Sequence, residues 1–140
     1  MGRTFVMIKP DAVRRGLIGE IISRFEKKGF SIDDMRYTRV TIEGAQELYK
    51  EHKDKDFYKN LIEFIISGPV IIMIVAREGL SVADTVQQAR LLIGAIGLPN
   101  ALGTIRGDFA TSSCRNCVHV SDSMEASERE PAMFALKGNK

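Results

Sequence analysis

The sequence predicts an α+β sandwich in which a four-stranded antiparallel sheet is covered by helices. Short strand-like runs occur at Arg3 to Lys9, Phe30 to Thr41, Val70 to Ala76 and Cys117 to Val120. Between them apolar residues recur at helical spacing. The order is therefore strand, helix, strand, two short helices, strand, helix, strand. Two such halves fit a ferredoxin-like fold, whose sheet carries helices on one face. Residues 1–140 are expected to form a single domain.

The first strand is β-branched and aromatic and closes at Lys9-Pro10-Asp11, which reads as a turn. Leu17, Ile18, Ile21, Ile22 and Phe25 share one helical face, and Gly29 suits the C-terminal cap. Glu43 to His52 and Phe57 to Ile66 read as short helices, the second stopped by Ser67-Gly68-Pro69. Val70 to Ala76 lacks polar alternation, as a covered central strand does. Ser81 is placed to cap a helix carrying Val82, Val86, Ala89 and Ile93. Gly94 to Arg115 reads as a long, glycine-rich loop of the functional kind. Asp122 and Glu125 make a capping-box-like start to a helix reaching Glu130, ended by Pro131, before a frayed tail at Lys137 to Lys140.

The bulk composition narrows the function classes. Of 140 residues 44% are apolar and 27% charged, with a net charge of +2, too little to argue for nucleic acid or membrane binding. The longest apolar stretch, Leu61 to Ala76, is broken by Glu63, Ser67, Gly68 and Pro69 and does not read as a membrane span. Met1-Gly2-Arg3-Thr4 runs straight into strand-like sequence without a signal-peptide pattern, and there are two cysteines. A cytoplasmic setting is the expectation.

His119 is the residue around which chemistry gathers. It is one of two histidines, His52 being the other. Imidazole can act as nucleophile, general base or metal ligand. Ser121, Asp122, Glu125, Glu128 and Glu130 lie within eleven residues of it and can take one ring nitrogen while the other stays free. Which carboxylate does so is open at this level. Lys9, Arg90 and Arg106 sit where a strand end, a helix and the long loop would present cations to phosphate. Thr104 to Phe109 adds a hydroxyl and a glycine beside Arg106, a combination suited to anions. Phe57 and Tyr49 are either packing or the wall of a base-stacking slot. Cys114 and Cys117 form a single CxxC with His119 two residues on. Structural zinc normally takes four ligands, so a metal or redox role is the weaker reading.

Five blocks, taken in order, resemble the nucleoside diphosphate kinase family from Thr4 to about Phe134. They are Thr4 to Asp11, Arg15 to Glu20, Ser67 to Val70, Gly103 to Phe109, and Asn116-x-x-His119-x-Ser121-Asp122-Ser123. The resemblance implies a phosphotransferase that passes the γ-phosphate of a nucleoside triphosphate to a nucleoside diphosphate. It also implies ping-pong transfer through a phosphohistidine, Mg²⁺ bound with the nucleotide, and a homo-oligomer, hexamer or tetramer. Position by position, His119 would be the nucleophile, with Glu130 and Ser121 orienting its ring. Lys9 and Asn116 would contact the sugar hydroxyls, with Lys9 and Tyr49 near the transferred group. Arg90 and Arg106 would neutralise phosphate charge, and Phe57, with Leu61 beside it, would stack on the base.

The chain departs from the family pattern in places. Val120 stands where the family usually has glycine, and its Cβ is expected to crowd the site. Ile96 aligns with a phosphate-contacting threonine in a loop one residue short; one such hydrogen bond is worth about 1.5–3 kcal/mol. Two extra residues sit near Ala76-Arg77, and Pro131 directly follows Glu130. The alternative function is accordingly a weakened or inactive relative serving as a nucleotide- or protein-binding scaffold.

Overall fold

β1 (Gly2–Ile8) is apolar on both sides: Phe5, Val6, Met7 and Ile8 are all fully buried. A strand of this kind is stable only between other strands and between two covering layers. The computed structural model, which describes residues 2–94, 101–112, 115–121 and 129–130, places it so. The sheet order is β2-β3-β1-β4, with every neighbouring pair antiparallel. β3 (Val70–Arg77) flanks β1 from Gly2↔Arg77 to Ile8↔Ile71. β4 (Val118–Val120) pairs on the other side, with Met7 opposite His119. β2 (Ser31–Thr38) is the edge, with an irregularity between Ile32 and Asp34.

Helices cover both faces, not the single face expected from element order. α2 (Ile18–Lys27) and α5 (Val82–Ile93) bury Ile21, Phe25, Ala89 and Ile93 against Val6, Ile8, Met73, Val75, Val118 and Val120. α3 (Ile42–Leu48) and α4 (Tyr58–Ile65) bring Ala45, Leu48 and Ile65 onto Phe5, Met7, Ile72 and Ile74. The reason lies in β1 and β3 themselves: both residue sets are apolar, and each buried side chain is worth about 1.5–3 kcal/mol.

Three local details differ from the pattern reading. Lys9-Pro10-Asp11 is not a free turn but the entry to a short helix, α1 (Pro10–Arg14), with proline at a first-turn position where no N–H is needed. The expected helix at 43–52 ends at Leu48, and a 3₁₀ turn follows at Lys50–His52. The expected loop at 94–115 contains α6 (Ile105–Phe109), capped by Thr104 Oγ1, which accepts from Gly107 N at 3.0 Å. Five residues are too few for a 3.6-residue period to register. Ser81 caps α5 as anticipated, accepting from Asp84 N at 3.1 Å. Of the expected last helix only Arg129 and Glu130 are described, and both are helical; residues 122–128 and the expected frayed tail lie outside the described residues.

Candidate active site

The site is built where β4 meets α1. Cys117 has φ +76°, the only positive φ on a non-glycine among the described residues. Across it Val118 N donates to Asn116 O at 2.9 Å, closing a γ-turn in its rare, strained positive-φ form. Both polar groups of Cys117 are held from the start of the chain. Lys9 N donates to Cys117 O at 2.8 Å, and Asp11 Oδ2 accepts from Cys117 N at 3.1 Å.

Strand alternation then sends successive side chains to opposite faces. Val118 and Val120 join the α2–α5 core, and His119 emerges on the other face beside Phe5, with ring centroids 6.1 Å apart. Val120 therefore does not crowd the histidine as expected, because its Cβ points through the sheet from it. His119 Nε2 lies 3.1 Å from Glu130 Oε1, and Ser121 Oγ donates to the same oxygen at 2.7 Å. An oxygen that accepts the hydroxyl proton has none to give the ring. In the neutral ring Nε2 therefore carries the hydrogen and Nδ1 the lone pair. Glu130 is the carboxylate partner left open by sequence; Asp122, Glu125 and Glu128 lie outside the described residues. His119 keeps 19% of its side chain exposed, while Glu130 is 3% exposed.

Cationic groups converge on the same place. Arg106 is buried, with Nη1 donating to Gly94 O at 3.1 Å and Nη2 to Val118 O at 2.7 Å, next to His119. Burial pushes its guanidinium down to about 10, and the nearby charge of Arg90 adds to the effect. Arg106 is still a cation at neutral pH, and its repulsion with Arg90 is what a bound anion would relieve. Lys9 Nζ donates to Asn116 Oδ1 at 3.0 Å, both side chains buried. Tyr49, His52 and Phe57 form a run of rings with successive centroid separations of 6.4 and 5.6 Å. Phe57 ends that run half exposed just before α4, and Leu61 follows on the helix's first turn, partly buried. Ile96 lies outside the described residues.

Cys117 is a free, buried thiol that burial, then the Asp11 charge, pushes up to about 11. Cys114 lies outside the described residues, and among those described no group of three or more His, Cys, Asp or Glu side chains could hold a metal. Three further residues support the site. Asp11 holds Cys117, and Arg15 Nη1 donates to Phe109 O at 2.6 Å. Arg24 Nη1 reaches Asp108 Oδ2 at 2.6 Å with its guanidinium 4.9 Å above the Phe109 ring. Their partners are distant in sequence, and no local pattern announces them.

The sequence matches the family described as "Nucleoside diphosphate kinase" over residues 2–138. The chain belongs to the nucleoside diphosphate kinase family. The enzyme of that name from Saccharolobus solfataricus is 47% identical over 138 residues, covering 98% of this chain and 96% of the relative. One from Thermus thermophilus is 48% identical over 135 residues, covering 96% and 95%. Among solved structures, a halophilic nucleoside diphosphate kinase from Halobacterium salinarum in complex with CDP superposes with TM-score 0.88 at 44% identity, covering 94% of this chain and 86% of that one. The Encephalitozoon cuniculi enzyme gives TM-score 0.91 at 35% identity, covering 98% and 90%. The fold is thus the ferredoxin-like one of nucleoside diphosphate kinases. The protein is an enzyme of that class, a phosphotransferase that moves the γ-phosphate of a nucleoside triphosphate to a nucleoside diphosphate. Among its described residues, no helix is long and apolar enough to cross a membrane.

Proposed function

We propose that the phosphoryl group travels through His119. Nδ1, which bears the lone pair of the neutral ring, attacks the γ-phosphorus. The N–P bond forms as the bond to the bridging oxygen breaks, and the nucleoside diphosphate leaves with that electron pair. A second diphosphate then attacks the phosphohistidine in reverse, which makes the cycle ping-pong. Glu130 stabilises the positive charge that the ring acquires by accepting from Nε2–H, and Ser121 holds Glu130. Arg90 and Arg106 neutralise phosphate charge, Lys9 and Asn116 bind the sugar hydroxyls, and Lys9 and Tyr49 stand near the moving group. Phe57 and Leu61 form the base slot, and Ile96 stands at a position of the phosphate-binding set without a hydroxyl to offer it.

The cationic groups and the lack of a carboxylate cluster among the described residues suit a Mg²⁺ ion borne by the nucleotide's phosphates rather than by side chains. When bound, that ion would neutralise charge on the bridging and terminal oxygens. The match over residues 2–138 supports reading 1–140 as one domain. Edge strand β2, with Met35 51% and Tyr37 63% exposed, supports assembly into a homo-oligomer, hexamer or tetramer. The setting we assign is cytoplasmic.

The observation that carries this reading is the shared oxygen of Glu130, which leaves Nδ1 of His119 as the free nucleophile. Incubation with γ-³²P-ATP and Mg²⁺ tests it: acid-labile, base-stable label is expected on the native chain and on His52→Ala, and none on His119→Ala. An unlabelled native chain overturns it.

A further inference from the structure

We propose that Asp11 is a positioning residue for phosphoryl transfer: its carboxylate holds the γ-turn at Cys117 and thereby sets where His119 stands. The inference rests on the reading of His119 as nucleophile. Asp11 is only 5% exposed, and a buried carboxylate is costly unless something requires it. Among the described residues it has no ion pair; Oδ2 takes the Cys117 N–H at 3.1 Å, and Oδ1 is buried without a hydrogen bond. A buried carboxylate set against the backbone N–H and the thiol of Cys117 marks that residue as worth holding.

The peptide groups of Cys117 are gripped on both sides of Pro10, by Lys9 N on the carbonyl and by Asp11 on the N–H. The proline ring fixes φ between these two contacts, so the clamp is rigid. What it clamps is a left-handed φ of +76° on a residue with a side chain, two positions before His119. β4 is only three residues long and, among the described residues, has β1 as its only strand partner, so the turn has strong leverage on the angle of the ring. For glycine the positive-φ γ-turn is the mirror image of the common form and carries no side-chain penalty. Cys117→Gly should therefore make the clamp dispensable.

The test is the single-turnover rate of ³²P transfer from saturating γ-labelled ATP to the protein. Asp11→Ala is expected to be at least tenfold slower than the native chain. Asp11→Asn, whose amide oxygen still accepts from Cys117 N, should stay within about threefold. Asp11→Ala with Cys117→Gly should return to within about threefold, a recovery that a merely structural loss would not show. Native-rate labelling of Asp11→Ala overturns the proposal, as does failure of the glycine to restore the rate in a protein that melts normally. Amide hydrogen exchange on the native enzyme decides the matter should a variant not fold. The Cys117 amide is expected to exchange at least a hundredfold slower than in an unstructured peptide, and an unprotected amide overturns the proposal. A native chain that takes no label refutes the His119 reading instead, and the exchange result judges Asp11 independently.

Discussion

Glu130 Oε1 lies 3.1 Å from His119 Nε2 across eleven residues of chain, and this contact places the hydrogen of the neutral ring on Nε2. The phosphoryl group should therefore be found on Nδ1. Phosphorus NMR of the denatured phosphoenzyme, or chromatography of its alkaline digest, distinguishes the two isomers; label on Nε2 would contradict the geometry.

Glu130→Gln keeps the size of the side chain and removes its charge. Hydrogen bonds to charged groups contribute about 1.5–3 kcal/mol, so a ten- to hundredfold slower half-reaction is expected. Ser121→Ala removes a single hydroxyl donor to Glu130 and should cost about 1 kcal/mol, roughly fivefold. Stopped-flow or quenched-flow phosphorylation rates separate the two.

Phe57 is 48% exposed, with its ring 5.6 Å from that of His52. Stacking a base on an aromatic ring is worth about 1–3 kcal/mol, so Phe57→Ala should raise KM about tenfold or more with kcat nearly unchanged. The increase should be similar for purine and pyrimidine nucleotides, because every base offers a π-face. A base-selective change would assign Phe57 another role.

The Cys117 thiol, raised from 9.0 to about 11 mainly by burial, links alkaline pH to stability. The unfolded chain releases this proton from about pH 9, whereas the folded chain retains it to about 11. The stabilisation is whole below pH 9 and lost as pH rises through 11. Two pH units correspond to about 2–3 kcal/mol. Urea midpoints at pH 8 and 10.5 should differ more for the native chain than for Cys117→Ala. At pH 8 the thiol should not react with iodoacetamide until the protein is unfolded.

Asp108 titrates below its usual value because Gly103 N donates to it and Arg24 pairs with it. Its contribution is present above the unfolded value of 3.8 and disappears as pH falls through the lower folded value. Asp108→Asn should thus lower the melting temperature at pH 6 and narrow the difference between pH 6 and pH 3, measured by calorimetry.

The sequence made the sheet legible because four apolar runs of strand length are hard to place otherwise, and the capped helix at Ser81 because cap and periodicity agree. The short helices α1 and α6 were hidden by their length, since five residues show no period. Of the candidate residues, His119, Ser121 and Glu130 meet in one hydrogen-bonded group, Lys9 bonds to Asn116, and Arg106 reaches the backbone of Val118; the motif blocks made these residues visible in the sequence. Val120 was misjudged for a different reason. The Cβ it carries in place of a glycine suggested crowding, whereas the pleat of β4 turns that Cβ into the core beside Val118. The contact of Asp11 with Cys117 is not legible in the sequence because its partner is a backbone N–H, and backbone groups leave no trace in residue identity.

The placement of β1 in the middle of the sheet has a consequence for how the molecule comes into being. Its pairing with β3 can form once the first half of the chain is available, but the bond from Lys9 to Asn116 spans 107 residues. Contacts of such sequence separation close late and slowly. A chain still emerging during synthesis can thus acquire most of its sheet before β4 brings His119 beside Lys9 and Asn116.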